Sequence, residues 1–208
     1  MPHAFHQGDH ICSIYDTERE QLTTAATYLA DGLRRGERVL YVGADCAALR
    51  RFREALLREG LEAAPLVARG ALIELTHPEA HLIDGCFDCE RMLTMLNEAV
   101  ERALNDGFSG LRCCGDMSWL LADAPGSEQV REYEALLNQF FSSVRASGMC
   151  QYPRRLLSAH HLDMALTTHS TAVAGGRQKF NPFYQRTAQV AIPPVRRRKG
   201  LAPGTAEG

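Results

Sequence analysis

Short apolar runs alternate about five times along this chain with longer stretches in which apolar residues recur every three or four positions. Ile11 to Tyr15 reads as a buried strand. A helix follows from a capping box, Thr17 as cap and Glu20 at the third helical position, with Leu22, Ala26, Leu29 and Leu33 on one face and Gly36 as its end. Arg38 to Gly43 is a second strand; the next helix runs from about Asp45 to Glu59, with Leu49, Phe52 and Leu56 on one side and Gly60 as terminator. Ala71 to Leu75 is a third strand, Glu90 to Leu104 a long amphipathic helix, and Leu111 to Asp116 a fourth strand entered through Gly107. Ser127 caps a helix carrying Val130, Tyr133, Leu137, Phe140, Phe141 and Val144, and Met149 to Tyr152 is a fifth strand. A short helix near Ser158 to Leu166 and an edge strand at Thr187 to Ile192 complete the pattern.

Strand and helix in alternation predict right-handed crossovers and a three-layer αβα fold, a mostly parallel sheet with helices on both faces. Residues 1–192 read as one domain, and 193–208, rich in proline, glycine and basic residues, as a disordered tail. Sheets of this kind bind ligands beyond the carboxyl ends of their strands. That rule gathers Tyr15 and Asp16, the 43–45 turn, Asp116 and Trp119, and Tyr152 and Arg154 on one rim, the expected small-molecule pocket. The first-strand turn, Tyr15-Asp16-Thr17-Glu18-Arg19-Glu20, has no glycine to let backbone amides approach a phosphate and no lysine to pair with it. Its acids would repel a triphosphate.

Composition narrows the classes. The 208 residues are 45% hydrophobic and 23% charged with a net charge of -2, so neither nucleic acid nor a membrane surface is attracted in general. No apolar segment approaches the roughly 20 residues of a membrane span. The opening MPHAFHQGDH lacks the regions of a signal peptide, so a cytoplasmic location is expected. Seven cysteines, an odd number, fit reduced thiols better than a disulfide framework.

The segments HICSIYD (10–16), DGLRRGERVLYVG (31–43), GFSGLRCCGDMSWLL (107–121), YEALLN (133–138) and MCQYPRR (149–155) resemble the MEDS domain, a sensory module named for methanogens, methylotrophs and the repressor DcmR. The resemblance runs from about residue 7 to residue 184. It implies a RecA-like core related to the clock ATPase KaiC, a degenerate nucleotide site, and sensing of small hydrocarbon-derived or similar ligands. In that frame Asp116 stands where a RecA-like protein holds magnesium; its bland alternative is a cap of the next turn, or a pair with Arg112 or Arg154.

Two further sets carry candidate chemistry. Period two places His10 and Cys12 on one face of their strand, where a His-x-Cys pair supplies two soft ligands to zinc, copper or haem, with His169 a third of unknown placement and Cys150 on the fifth strand. His77, His81, Cys86 and Cys89 read H-x-x-x-H-x-x-x-x-C-x-x-C, whose cysteine half has the spacing of a zinc knuckle or a dithiol; chance pairing is the alternative. Cys113 and Cys114, adjacent on a strand, point to opposite faces and read as inert packing. Glu134 and Asn138 read first as solvated helix surface. The function these features point to is a non-catalytic sensory or regulatory domain that binds a small molecule and signals through a protein partner or self-association into a homo-oligomer. A protein-interaction module and a residual nucleotide-binding hydrolase are its rivals.

Overall fold

A computed structural model describes residues 5–174 and 177–186. The apolar runs become strands β1 (His10–Tyr15), β2 (Arg38–Gly43), β3 (Leu72–Thr76), β4 (Leu111–Asp116) and β5 (Ala146–Pro153), followed by β6 (Thr171–Ala174) and β7 (Arg177–Phe180). All seven join one sheet in the order β3-β2-β4-β5-β1-β6-β7, parallel except for the antiparallel β6-β7 pair. The last two strands are absent from the sequence reading: Thr-Ala-Val-Ala is too short to register as a buried run, and Arg177–Phe180 is mostly exposed. The glycine pair between them in the sequence is the hairpin signal that was there to use. The strand expected at 187–192 and the tail at 193–208 lie outside the described residues.

The helices are α1 (Glu18–Arg34), α2 (Cys46–Arg58), α3 (Ala63–Ala68), α4 (Cys89–Asn105), α5 (Val130–Ser143) and α6 (Ala159–Thr168). Their starts are fixed by side chains that satisfy otherwise unpaired backbone donors. Thr17 accepts from the Glu20 amide at 3.2 Å, Asp45 from Ala48 at 2.7 Å, Asp88 from Arg91 at 2.8 Å and Ser158 from His161 at 3.3 Å. The Glu20 carboxylate reaches back one residue beyond the cap and accepts from the Asp16 amide at 3.0 Å. Gly36 takes φ +78°, a left-handed turn that lets α1 run into β2. No helix among the described residues is long and apolar enough to cross a membrane.

Alternation along the buried strands divides the core between the two sheet faces. Ile11, Val39, Tyr41, Cys114 and Met149 pack with Leu29, Phe52 and Leu56 of α1 and α2. Cys12, Leu40, Val42, Cys113 and Cys150 pack with Met92 and Leu96 of α4, Tyr133 and Phe141 of α5, and Met164 of α6. The adjacent cysteines therefore do lie under opposite helix layers. Each fully buried Leu or Phe contributes roughly 1.5–3 kcal/mol of transfer free energy, so the two layers together hold the sheet.

One charged group interrupts the α1 side. Arg112, at the amino end of β4, is fully buried; it donates to Glu37 at 2.6 Å, to Asp31 at 2.8 Å and to the Tyr28 carbonyl at 3.2 Å. Gly32 makes room for it, since a Cβ there would approach Arg112 Cδ to 2.8 Å. Arg112 is thus committed four residues from Asp116 and does not pair with it.

Candidate functional site

The rim beyond β1 carries the chemistry expected of a site, in altered form. Asp16 sits just past the strand and is gripped by Arg154, whose Nε donates to one carboxylate oxygen at 2.9 Å and whose Nη2 donates to the other, while Arg155 Nε donates at 3.4 Å. The Arg154 guanidinium holds the Asp16 carboxyl below its ordinary range, with Arg155 adding to the effect. The Asp16 amide, which would face an incoming anion at the start of α1, is taken by Glu20. Thus this turn presents acids and a closed ion-pair network where a phosphate cradle would present free amides. Beside it lies a cleft of about 380 Å³ lined by Ile14, Asp16, Glu20, Arg154, Leu162 and Leu166. Its volume falls within the range of small-molecule sites. The apolar cavity between β4, β5 and α4 is only about 40 Å³, little more than one water's share of liquid volume, which leaves the rim as the roomier place.

The rest of the expected rim set divides. Tyr15 points to Asp116, its hydroxyl 3.4 Å from Oδ1, and burial pushes that hydroxyl well up, with Asp116 adding to the shift. Asp116 is buried and caps the next turn: Oδ1 accepts from the Ser118 amide at 3.0 Å, Oδ2 from the Ser118 hydroxyl at 2.8 Å, and its carbonyl from His77 Nε2 at 3.0 Å. The local cap accounts for this carboxylate. Trp119 is buried in a stack between Phe87, 4.6 Å away, and His81, 5.4 Å away. Tyr152 turns away from the rim into the α5 side of the core, and Cys12 packs there too, its thiol pushed up to about 12 by burial. Hence Asp16 and Arg154 line the rim cleft, while Tyr152 belongs elsewhere.

The His77, His81, Cys86, Cys89 set does not converge. His77 is bonded to the Asp116 carbonyl, His81 lies against Trp119, Cys86 donates its thiol to the Ile83 carbonyl at 3.5 Å, and Cys89 opens α4 with its amide on Gln129. Asp88, between the two cysteines, caps α4 rather than closing a ligand loop, which spacing alone does not show. Burial and the adjoining His77 lower His81 to about 3.

Among the described residues, three or more possible metal ligands meet in one place: His10 of β1, Glu134 of α5, Cys150 of β5 and His169 just after α6. All four are buried, and Glu134 and His169 are fully so. Both His10 Nε2 and His169 Nε2 stand 3.2 Å from Glu134 Oε2, and Cys150 Sγ is 3.6 Å from His10 Nε2. The other Glu134 oxygen accepts from the Tyr152 hydroxyl at 2.8 Å. Asn138, one turn on, donates to the Glu134 and Thr168 carbonyls, which leaves its Oδ1 to accept from His10 Nδ1 at 3.2 Å. His169 Nδ1 faces the Ala165 carbonyl at 2.8 Å. Burial would raise the Glu134 carboxyl, but the two histidines more than reverse this and hold it below the usual range. Burial lowers His10 to about 4, helped by His169 and opposed by Glu134, and pushes the Cys150 thiol well up. Such a sealed centre can hold a cation or fix tertiary structure; it offers a substrate no way in.

Sequence reasoning found His10, Cys150 and His169 but left Glu134 on the surface. The signal was present: Val130, Glu134, Leu137 and Phe141 fall on one helical stripe, so a carboxylate occupies a core position of α5.

A family model described as MEDS, the methanogen/methylotroph, DcmR sensory domain, matches residues 9–170. Among solved structures the fold is similar to the flagellar accessory protein FlaH from Methanocaldococcus jannaschii, at TM-score 0.58 and 16% identity over 86% of this chain and 83% of that one. It is also similar to a KaiC-like protein from Pyrococcus horikoshii OT3, at TM-score 0.57 and 14% identity over 80% and 71%. At these identities the likeness shows the fold alone: a three-layer RecA/KaiC-like sheet. No curated protein matches the sequence.

Proposed function

The chain belongs to the MEDS family, and from that premise we propose that it is a non-catalytic sensory or regulatory domain that binds a small organic molecule in the rim cleft beside Asp16 and Arg154. One observation supports this reading above others: a cleft of small-molecule size adjoins a first-strand turn whose amide is occupied by Glu20 and whose carboxylate is occupied by two arginines. Polyphosphate finds acids there. A molecule with an apolar body of a few carbons finds Ile14, Leu162 and Leu166, and its polar head finds the Asp16–Arg154 pair. Output passes through a protein partner or self-association in the cytoplasm, because ligand binding shifts a conformational equilibrium only by its differential affinity for the two states. Asp116 serves as a cap rather than a magnesium ligand in this account, and the buried centre around Glu134 is not a reaction site.

The test is a chemical-shift survey of the isotope-labelled chain against short aliphatic alcohols, amines, carboxylates and halogenated alkanes. Expected are saturable shifts of Ile14, Leu162, Leu166 and Ala174 for at least one of these classes, weakened by Arg154→Ala. Shifts confined to other parts of the fold, or none for any class, would overturn the reading.

A further inference from the structure

We propose that His10 Nε2, Glu134 Oε2, Cys150 Sγ and His169 Nε2 together bind one divalent transition-metal ion of the zinc class. Which atoms carry lone pairs follows from their outer partners. Asn138 Oδ1 can only accept, so His10 Nδ1 must donate to it, and the Ala165 carbonyl imposes the same on His169 Nδ1. In the neutral rings this leaves both Nε2 atoms as acceptors, and both face one carboxylate oxygen at 3.2 Å; the Cys150 thiol, 3.6 Å from His10 Nε2, is the one donor beside them, and His169 Nε2 and Glu134 Oε2 have none. Three lone-pair atoms held this close in a dry interior repel one another, and a positive charge between them removes that cost.

Protonated rings are the rival source of that charge, and the geometry speaks against them. An imidazolium N–H would align on the carboxylate, yet Glu134 Oε2 and His169 Nε2 make no aligned hydrogen bond in spite of their closeness. Ligands around a common centre behave in just this way, each aimed at the middle rather than at its neighbour. Three of the six ligand–ligand spacings match tetrahedral edges: zinc–nitrogen or –oxygen bonds of about 2.05 Å give edges of about 3.3 Å, and a zinc–sulfur bond of about 2.3 Å gives a nitrogen–sulfur edge of about 3.6 Å. The observed separations are 3.2, 3.2 and 3.6 Å, and all four ligand atoms lie within 4.8 Å of one another.

The outer shell is complete as well. Each histidine gives its second ring nitrogen to a carbonyl-type oxygen, and the free carboxylate oxygen takes a tyrosine hydroxyl, the partners that orient metal ligands elsewhere. Two imidazoles, a carboxylate and a thiol suit a borderline cation better than calcium or magnesium. With four protein ligands, all of them buried, the site is closed, hence structural: it ties β1, β5, α5 and the end of α6 together. On binding, Cys150 releases its thiol proton to solvent and coordinates as thiolate. This inference stands apart from the rim cleft and survives if that cleft binds nothing.

The test uses the full chain, expressed with zinc supplied and purified without a metal-affinity column. Elemental analysis should find about one equivalent of zinc per chain. Replacing it with cobalt should give the intense visible bands of a tetrahedral ion together with a thiolate-to-cobalt charge-transfer band. Cys150→Ser should abolish the charge-transfer band while keeping the visible bands, and Asn138→Ala, which leaves all four ligands in place, should weaken metal affinity by about 10–100-fold. A folded wild-type chain that takes up neither zinc nor cobalt stoichiometrically would overturn the proposal, as would a charge-transfer band untouched by Cys150→Ser.

Discussion

Arg112→Met is the perturbation whose cost follows most directly from this fold. The substitution keeps a long apolar stem and removes, among the described residues, the only guanidinium facing Glu37, a carboxylate 3% exposed. What remains to Glu37 is one neutral donor, Gln7 Nε2 at 3.0 Å. Asp31, about a third exposed, keeps its pair with Arg35 at 2.9 Å and adds little. The cost is therefore that of stranding one buried charge, about 3–5 kcal/mol. For a chain of this size, at about 2–4 °C per kcal/mol, Tm should fall by roughly 6–20 °C. Urea denaturation followed by far-UV circular dichroism measures the loss directly. The double variant Glu37→Met, Arg112→Met removes both charges, and most of the stability should return, because apolar replacements of a buried pair are often neutral or better. If the single variant costs less than about 1 kcal/mol, or the double variant costs as much as the two singles combined, the buried-pair reading is wrong.

Two more expectations concern the core. His81 is held neutral in the folded chain at about 3 and titrates near 6.5 when unfolded, so the unfolded state binds the extra proton between those values. Its contribution is intact above 6.5 and is lost as pH falls toward the folded value, about 2 kcal/mol by pH 5; comparing urea midpoints at pH 7.5 and 5 for wild type and His81→Phe should show a shallower dependence in the variant, and equal slopes would refute it. A Cβ on Gly148 would collide with the Phe141 ring, which lies 5.5 Å from the His10 ring, so Gly148→Ala should destabilise by about 1–3 kcal/mol; an unchanged urea midpoint would mean that α5 does not pack on β5 as described.

Much of the scaffold was legible in the sequence because its signals are local. β2 and β4 match their runs residue for residue, since buried parallel strands show as unbroken apolar segments between helices that begin at Thr17, Asp45 and Ser158. β6 and β7 escaped because four residues give no period, and α3 because a six-residue turn of helix is mostly exposed. The buried centre was half legible. Period two placed His10 toward one face, but nothing local says that Glu134, 124 positions later in the sequence by number, points at the same spot. Conversely, H-x-x-x-H and C-x-x-C looked like a ligand set because spacing carries no direction, and the side chains of His77, His81 and Cys86 find separate partners. Asp116 kept its place at a strand end; what the sequence did not convey was that Ser118 satisfies both of its oxygens.

Calorimetric titration of the full chain with magnesium and ATP, with phosphate release followed in parallel, tests most directly whether this sheet has given up polyphosphate. The account predicts no saturable binding up to millimolar ATP and no release above background. Magnesium-dependent binding with turnover that Asp116→Asn abolishes would contradict it.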